Sequence, residues 1–263
     1  MRAASLARKA AKSAALPGGV LSARRPGDVV ILLYHRIGAG QGEIALPVDR
    51  FERQLAHLAE RETVLGLDAA LEDGSTGGVV VTFDDGYRDF HRHALPLLVR
   101  YRIPAVLYLT TGSVASAQAA SSNPEALTWS QLDEGLGTGL MTVGAHTHTH
   151  VDLSRASERT ATDELCRSKE LIEDRLGVPC RHFAYPWAVG SPAADRVVRA
   201  LFETAARHAW RTNRRGRIDP YQLGRTPILR SDGSLFFRAK ARALLDGEAI
   251  VYRALGRGPW QRP

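Results

Sequence analysis

The sequence predicts an α/β protein in which parallel strands carry helices on their outer side, folded as one domain. Short apolar runs rich in β-branched residues alternate with longer stretches of helical periodicity along the chain. Its 263 residues are enough to bury one sizeable core. There is no internal repeat and no apolar run of the length that a bilayer requires.

The first strand is Val29–Tyr34, a continuous apolar run that ends at Tyr34-His35-Arg36. Residues 49–61 follow as an amphipathic helix with Phe51, Leu55 and Leu58 on one side. Residues 79–83 form the next strand, and Gly86 behind its two terminal aspartates suits a sharp exit turn. Residues 88–101 read as a helix and 103–107 as the strand after it. Residues 110–124 are rich in Ser and Ala and carry no charge, which predicts a loop over the rim of the site, where substrate specificity would reside. Helices are further expected over 129–136, 157–176 and 193–202, the second closed by Gly177 and the third begun by Pro192. Between the first two of these, 141–145 is a strand of weaker apolar character.

Two of the strands end in groups that carry chemistry. One delivers the aspartates of Thr82-Phe83-Asp84-Asp85-Gly86, and the other delivers His146-Thr147-His148-Thr149-His150. His146 and His150 share one face if the residues between them make a single helical turn, and His148 then points elsewhere. A hydrolytic zinc site keeps three protein ligands and leaves a position open for water, whose pKa falls to about 7. Asp85, His146 and His150 supply three such ligands. Asp84 leaves the backbone in a different direction and is placed to take a proton as general base. Asp-Asp-Gly alone describes a turn, and a histidine pair alone describes a solvated surface. Their joint occurrence, each behind an apolar strand, points to a hydrolase holding one divalent metal, with zinc the expected ion.

In these residues the sequence resembles the polysaccharide deacetylases with a NodB homology domain, also called carbohydrate esterase family 4. The resemblance runs over residues 29–230, with Thr82-Phe83-Asp84-Asp85-Gly86-Tyr87 as the first motif and His146-Thr147-x-x-His150 as the second. Residues 94–98 and 103–107 are similar to the helix and strand that follow the first motif. The resemblance implies a distorted, incomplete (β/α) barrel, whose chemistry gathers at the C-terminal ends of the strands. His35, Asp84, His146 and Trp187 all fall at such ends. It also implies metal-dependent removal of an N-acetyl group from an amino sugar of a polysaccharide, oligosaccharide or glycoconjugate, with Asp84 as base and Asp85, His146 and His150 as ligands.

The third motif is present in part. Phe183-Ala184-Tyr185-Pro186-Trp187 is similar to it, and the resemblance implies that Tyr185, Pro186 and Trp187 face substrate, with a backbone N–H near Trp187 stabilising the oxyanion. Ala184 stands where many members carry an arginine that orients the base. Arg181 and Arg225 are the candidate replacements, and Thr147 is a supporting residue inside the second motif. The late Leu-x-His of the fifth motif, source of the general acid, is missing, since no histidine follows His208. His35, behind the first strand, is the candidate to protonate the leaving amine, against the alternative of a histidine that caps a strand.

Charge divides the chain. Residues 1–27 hold six cations and no acid, residues 28–204 sixteen cations against twenty-four acids, and residues 205–263 thirteen against four. The expected organisation is a basic N-terminal segment (1–27), a deacetylase domain (28–230) and a basic C-terminal helical extension (231–263). The first segment lacks the apolar core of a secretory signal and suits peripheral contact with anionic membrane, against the alternative of a loosely packed start. A cytoplasmic location, reaching the inner face of the membrane, is the corresponding expectation. The expected partner is an N-acetylated carbohydrate, with no nucleic acid and no obligate protein partner. Cys166 and Cys180 read as two buried thiols, against the alternative of a disulfide, which points to a reducing compartment or to a chain in which redox plays no part. Two other classes stay open: a non-catalytic carbohydrate-binding relative, motivated by the two motif gaps, and a hydrolase of another small-molecule C–N amide bond. A glycosidase using Asp84 and Asp85 is disfavoured, because adjacent carboxylates do not readily flank a glycosidic bond.

Overall fold

β1 (Val29–Tyr34) consists of six buried residues, and a strand apolar on both faces must be covered on both. In the computed structural model, which describes residues 23–38, 40, 42–118, 125–207 and 212–246, two short strands, β2 (Arg36–Ile37) and β3 (Ala45–Leu46), pair with each other just beyond it. β4 (Gly78–Phe83), β5 (Ala105–Leu109), β6 (Met141–Ala145), β7 (His182–Ala184), β8 (Thr204–Arg207) and β9 (Leu223–Pro227) join β1 in a closed parallel barrel in that order. β9 closes the ring by pairing Arg225 with Ile31 of β1. Seven strands give the incomplete (β/α) barrel that the sequence predicts, one fewer than the eight-stranded form.

Alternation along the strands sorts side chains into two layers. Val30, Leu32, Val79, Val81, Phe83, Leu107 and Val143 belong to the large outer core between strands and helices. Val29, Ile31, Val80, Val106, Tyr108, Ala184 and Leu223 form a separate inner cluster within the barrel. Helices cover the outside: α1 (Val48–Arg61), with Phe51, Leu55 and Leu58 buried, then the short α2 (Leu67–Leu71) and α3 (Leu95–Tyr101). α4 (Thr111–Gln118) and α5 (Trp129–Leu136) follow, the latter begun by a capping box between Thr128 and Gln131. α6 (Glu158–Leu176) starts at the Ser157 cap and stops at Gly177, whose φ of 64° is left-handed. α7 (Pro192–Leu201) has Ser191 as its cap and proline in its first turn.

Two predicted elements need correction. The helix expected over 88–101 is a π-helical turn, Phe90–Ala94, leading into α3; Pro96 has no N–H to give the carbonyl four residues back, which disturbs the α-helical ladder at that point. The uncharged stretch 110–124, expected as a loop, forms α4 over its first part. Thr111 and Gly112 start it by donating to the carbonyls of Thr147 and His148, at 3.3 and 2.8 Å, so tertiary bonds supply what its composition does not. Residues 119–124 lie outside the described residues.

The floor of the barrel is tied across the sequence. Asp28 accepts from the backbone of Arg25 and Arg215 and from the Arg214 guanidinium, at 2.9, 3.0 and 2.7 Å. Asn213 bridges the carbonyls of Val29 and Gly224. At the other end of β9, α8 (Ser234–Ala241) brings Phe237 into the main core, and the buried Lys240 Nζ donates to Asp232 Oδ2 at 2.9 Å and to the Pro227 carbonyl at 2.8 Å. The part of 231–263 that is described, through residue 246, therefore packs onto the barrel; of the segment 1–27 expected to contact membrane, residues 23–27 are described, with Arg24 bonding Glu62, and residues 1–22 and 247–263 lie outside the described residues. No helix of the described residues is long and apolar enough to cross a membrane. Both cysteines are free thiols; Cys180 is buried as expected, whereas Cys166 is only half-buried on α6.

Candidate active site

The inward parity of the strands decides what meets at the top of the barrel. On β4 the inner positions run Val80, Thr82 and then Asp84; on β6 they run through Gly144 to His146; on β9 they are Leu223 and Arg225. Asp84, His146 and Arg225 are each at least 97% buried. Arg225 donates through both terminal nitrogens to the two oxygens of Asp84, at 2.6 and 2.7 Å. Such a bidentate pair is the geometry that holds a buried carboxylate in one orientation. Burial alone would push the Asp84 carboxyl up; Arg225 and His146 outweigh it and hold the group below its ordinary value.

Arg225 thus takes the place beside Asp84 that Ala184 leaves open on β7. The methyl side chain of Ala184 shares the inner surface of the barrel, where it leaves volume for a guanidinium arriving from another strand. Arg181, the other candidate, is not at the site. It lies before β7, at the opposite end of the barrel, and bonds Asp68 at 2.6 Å.

Asp85 follows Asp84 with a φ of 73°, and Gly86 with 81°. The two left-handed residues turn the chain off the end of β4, so that Asp85 faces two imidazoles. Its Oδ1 is 3.3 Å from His150 Nε2 and 3.6 Å from His146 Nε2. Burial raises the Asp85 carboxyl, but the close approach of His150 and the nearness of His35 and His146 bring it well below its usual range.

The histidine segment is not the helical turn expected from its spacing. Residues 146–150 form an irregular loop in which Thr147 and His150 have φ of 64° and 60°. Glu164 of α6 fixes the loop from outside, accepting from the backbone of His148 and Thr149 at 2.9 and 2.7 Å. Thr147 is buried, and its carbonyl accepts from Ser168 at 3.1 Å. His148 turns away to Thr111, with Nδ1 2.9 Å from its hydroxyl. His146 Nδ1 donates to the Ala184 carbonyl at 2.7 Å, which leaves Nε2 as the unprotonated nitrogen facing Asp85. Burial pushes the His146 imidazole down to about 4, so it is neutral at physiological pH.

One carboxylate oxygen and two imidazole nitrogens, from Asp85, His146 and His150, lie within 4.8 Å of one another. Three donors about 2.1 Å from a tetrahedral ion are about 3.4 Å apart, close to the two separations above. Asp85 Oδ1 is also buried without a hydrogen-bond partner among the described residues. Mixed N and O donors of this kind suit a divalent transition metal, and the residues fit one.

A cavity of about 380 Å³ opens over the triad, lined among others by His35, Ile44, Asp84, Tyr185, Trp187 and Arg225. Trp187 has a φ of 48° and sets its indole edge-to-face on His150, with centroids 4.3 Å apart. Pro186, in the same turn, is buried. Tyr185 is anchored by its hydroxyl to Asp195 at 2.7 Å. Sequence reasoning missed two participants. Tyr87 stands beside Asp85, and burial together with that carboxylate pushes its hydroxyl up to about 12; its place in the first motif was the available signal. The Ala184 carbonyl that orients His146 is a backbone group and leaves no trace in residue type.

The family model described as polysaccharide deacetylase matches residues 72–204, just over half of the chain. Bacillus subtilis YxkH, whose name places it among the polysaccharide deacetylases, is 25% identical over 173 residues, which are 63% of this chain and 59% of that one. The poly-β-1,6-N-acetyl-D-glucosamine N-deacetylase of Staphylococcus aureus is 29% identical over 119 residues, 42% of this chain and 40% of that one. The chain therefore spans well under two thirds of these relatives. Among solved structures, IcaB from Ammonifex degensii superposes with a TM-score of 0.70 at 26% identity, over 83% of this chain and 97% of that one.

Proposed function

The chain belongs to the polysaccharide deacetylase family, and from that premise we propose that it hydrolyses the N-acetyl group of an amino sugar within a glycan, releasing acetate and a free amine. The observation that carries this reading is the three-donor set of Asp85, His146 and His150 standing against the Asp84–Arg225 pair. Asp85, His146 and His150 hold the metal, and zinc is the ion that their donor atoms favour. When bound, the ion supplies a Lewis acid that polarises the acetamido carbonyl and lowers the pKa of water.

Asp84 accepts the proton of the attacking water. Arg225 keeps it ionised and aimed, so the base is ready at neutral pH. The water oxygen adds to the carbonyl carbon, and a backbone N–H at Trp187 serves the oxygen that gains charge. Collapse of the tetrahedral carbon breaks the C–N bond, and His35, which shares the cavity, donates the proton that the departing amine needs. Tyr185, Pro186 and the Trp187 indole shape the wall against which the sugar lies. Thr147 supports the ligand loop. Arg225 removes the motive for a non-catalytic reading that the missing third-motif arginine had supplied.

The Staphylococcus aureus relative is named for poly-β-1,6-N-acetylglucosamine, and oligomers of that glycan are the first substrates to test. The catalytic unit is residues 28–230 with α8 packed onto it, and the basic segment 1–27 is a peripheral membrane contact on the cytoplasmic side. Acetate release from such oligomers, abolished by a chelator and restored by zinc, supports the assignment. Release from simple acetanilides with none from N-acetylated glycans would assign the chain to another class of amide.

A further inference from the structure

A cavity of about 480 Å³ lies away from the Asp85, His146 and His150 cluster. It lies on the flank of the barrel, between α1 and α8, where Arg50, Arg53 and Arg61 of one wall face Arg238 and Arg242 of the other. Glu60 is the only acid among its described lining residues. Some of these cations are already engaged: Arg53 with Asp49 at 2.8 Å, Arg242 with Glu62 at 3.1 Å, and Arg50 with the Arg230 carbonyl. Arg61 and Arg238 complete the basic lining.

Two polar nitrogens inside the groove are unsatisfied among the described residues. Gln54, only 4% exposed, spends its carbonyl oxygen on the Tyr34 hydroxyl at 3.0 Å and leaves its buried Nε2 without a partner. His57 Nε2 is likewise buried and unpaired. An orphaned buried amide N–H₂ costs free energy that an acceptor from outside would recover. Burial first, and then Arg238, hold His57 below its ordinary pKa against the opposing charge of Glu62.

The flanks of the chain do not complement this lining. Residues 1–22 carry four cations and no acid, and residues 247–263 carry three arginines and one glutamate. Their sign matches that of the groove, so neither segment supplies the complementary charge.

We propose that the groove between α1 and α8 is a binding site for a phosphate or diphosphate group, gripped by Arg61 and Arg238 and met at its base by the Gln54 carboxamide. Guanidinium groups bind phosphate oxygens in planar, two-point fashion, and the volume accommodates a diphosphate with its attached moiety. The group reaches the site either as a soluble phosphoester or as the headgroup of an anionic lipid. The site stands apart from the deacetylation chemistry and does not depend on it.

Inorganic pyrophosphate titrated calorimetrically into the full chain, at about 0.15 M salt to screen long-range attraction, tests the proposal. Binding is expected, and the double variant Arg61→Ala/Arg238→Ala should weaken it about tenfold or more. Arg159→Ala/Arg196→Ala, which removes equal charge from α6 and α7, should leave it unchanged, and basal deacetylation should be unaffected in both. Thermal unfolding checks that the variants fold; Arg61→Gln/Arg238→Gln serves where the alanines do not. Co-sedimentation with phosphatidylglycerol vesicles separates the sources: sedimentation lost in the groove variant assigns a lipid headgroup, and sedimentation absent or unchanged assigns a soluble phosphoester. No pyrophosphate binding by the parent, or equal binding by parent and groove variant, overturns the site.

Discussion

Arg225 of β9 and Asp84 of β4, which are 141 residues apart in sequence, form a bidentate ion pair at 2.6 and 2.7 Å inside the barrel. A buried carboxylate deprived of its partner is destabilising by about 3–5 kcal/mol. Arg225→Met should therefore lower stability on that scale, raise the Asp84 pKa and shift the acid limb of the rate profile to higher pH. Metal content should stay at the parent's level, because Arg225 touches none of the three donors. Denaturant melts, a pH–rate profile and metal analysis of one preparation read all three; an unmoved acid limb would contradict a positioning role.

The metal should depend on His150 and not on His148. His150 Nε2 faces Asp85 at 3.3 Å, whereas His148 is turned toward Thr111. His150→Ala should reduce bound metal and activity together, and His148→Ala should retain both to within a few fold. Equal metal content in the two variants would break the ligand assignment.

His35→Ala should slow turnover strongly with metal still bound. The loss should be larger for a sugar acetamide than for an anilide, whose leaving amine needs less help from a proton donor. A rate unchanged on both substrates would return His35 to a structural place at the end of β1.

The strands and most helices were legible because their signals are local. Val29–Tyr34 is apolar throughout, α1 carries its three-residue stripe, and Ser157 and Gly177 bracket α6. The clustering of Asp85, His146 and His150 was legible from residue type and strand position. Its local geometry was not, because Glu164 holds residues 146–150 in a loop by long-range bonds that spacing does not reveal. Arg181 and Arg225 looked equivalent as arginines. Only the pairing of β9 beside β1, which sets Arg225 on the inner surface, separates them. α4 was missed because its uncharged sequence has no amphipathic stripe and its start is fixed by Thr147 and His148.

Asp28 should give the fold a pH dependence of known sign. Burial raises its carboxyl, but the N–H groups of Arg25 and Arg215 and the Arg214 guanidinium outweigh this and leave it below its ordinary 3.8. A depressed folded value means a contribution present above 3.8 and lost as the pH falls through the lower folded value. Asp28→Asn should lower unfolding free energy by about 1–3 kcal/mol at pH 7, with the gap to the parent narrowing below pH 4. Urea titrations at pH 7 and pH 3.5 measure it, and a gap of constant size would contradict the linkage.

Asp84→Asn probes the central claim most directly, because it keeps the size of the side chain and removes the proton acceptor. The measurement is acetate released per bound metal from N-acetylglucosamine oligomers by the parent and by this variant, each loaded with zinc. The expected result is release by the parent and a loss of about 10²–10⁴-fold in the variant at equal metal content. Release by the variant at the parent's rate, or none from the fully loaded parent, would contradict it.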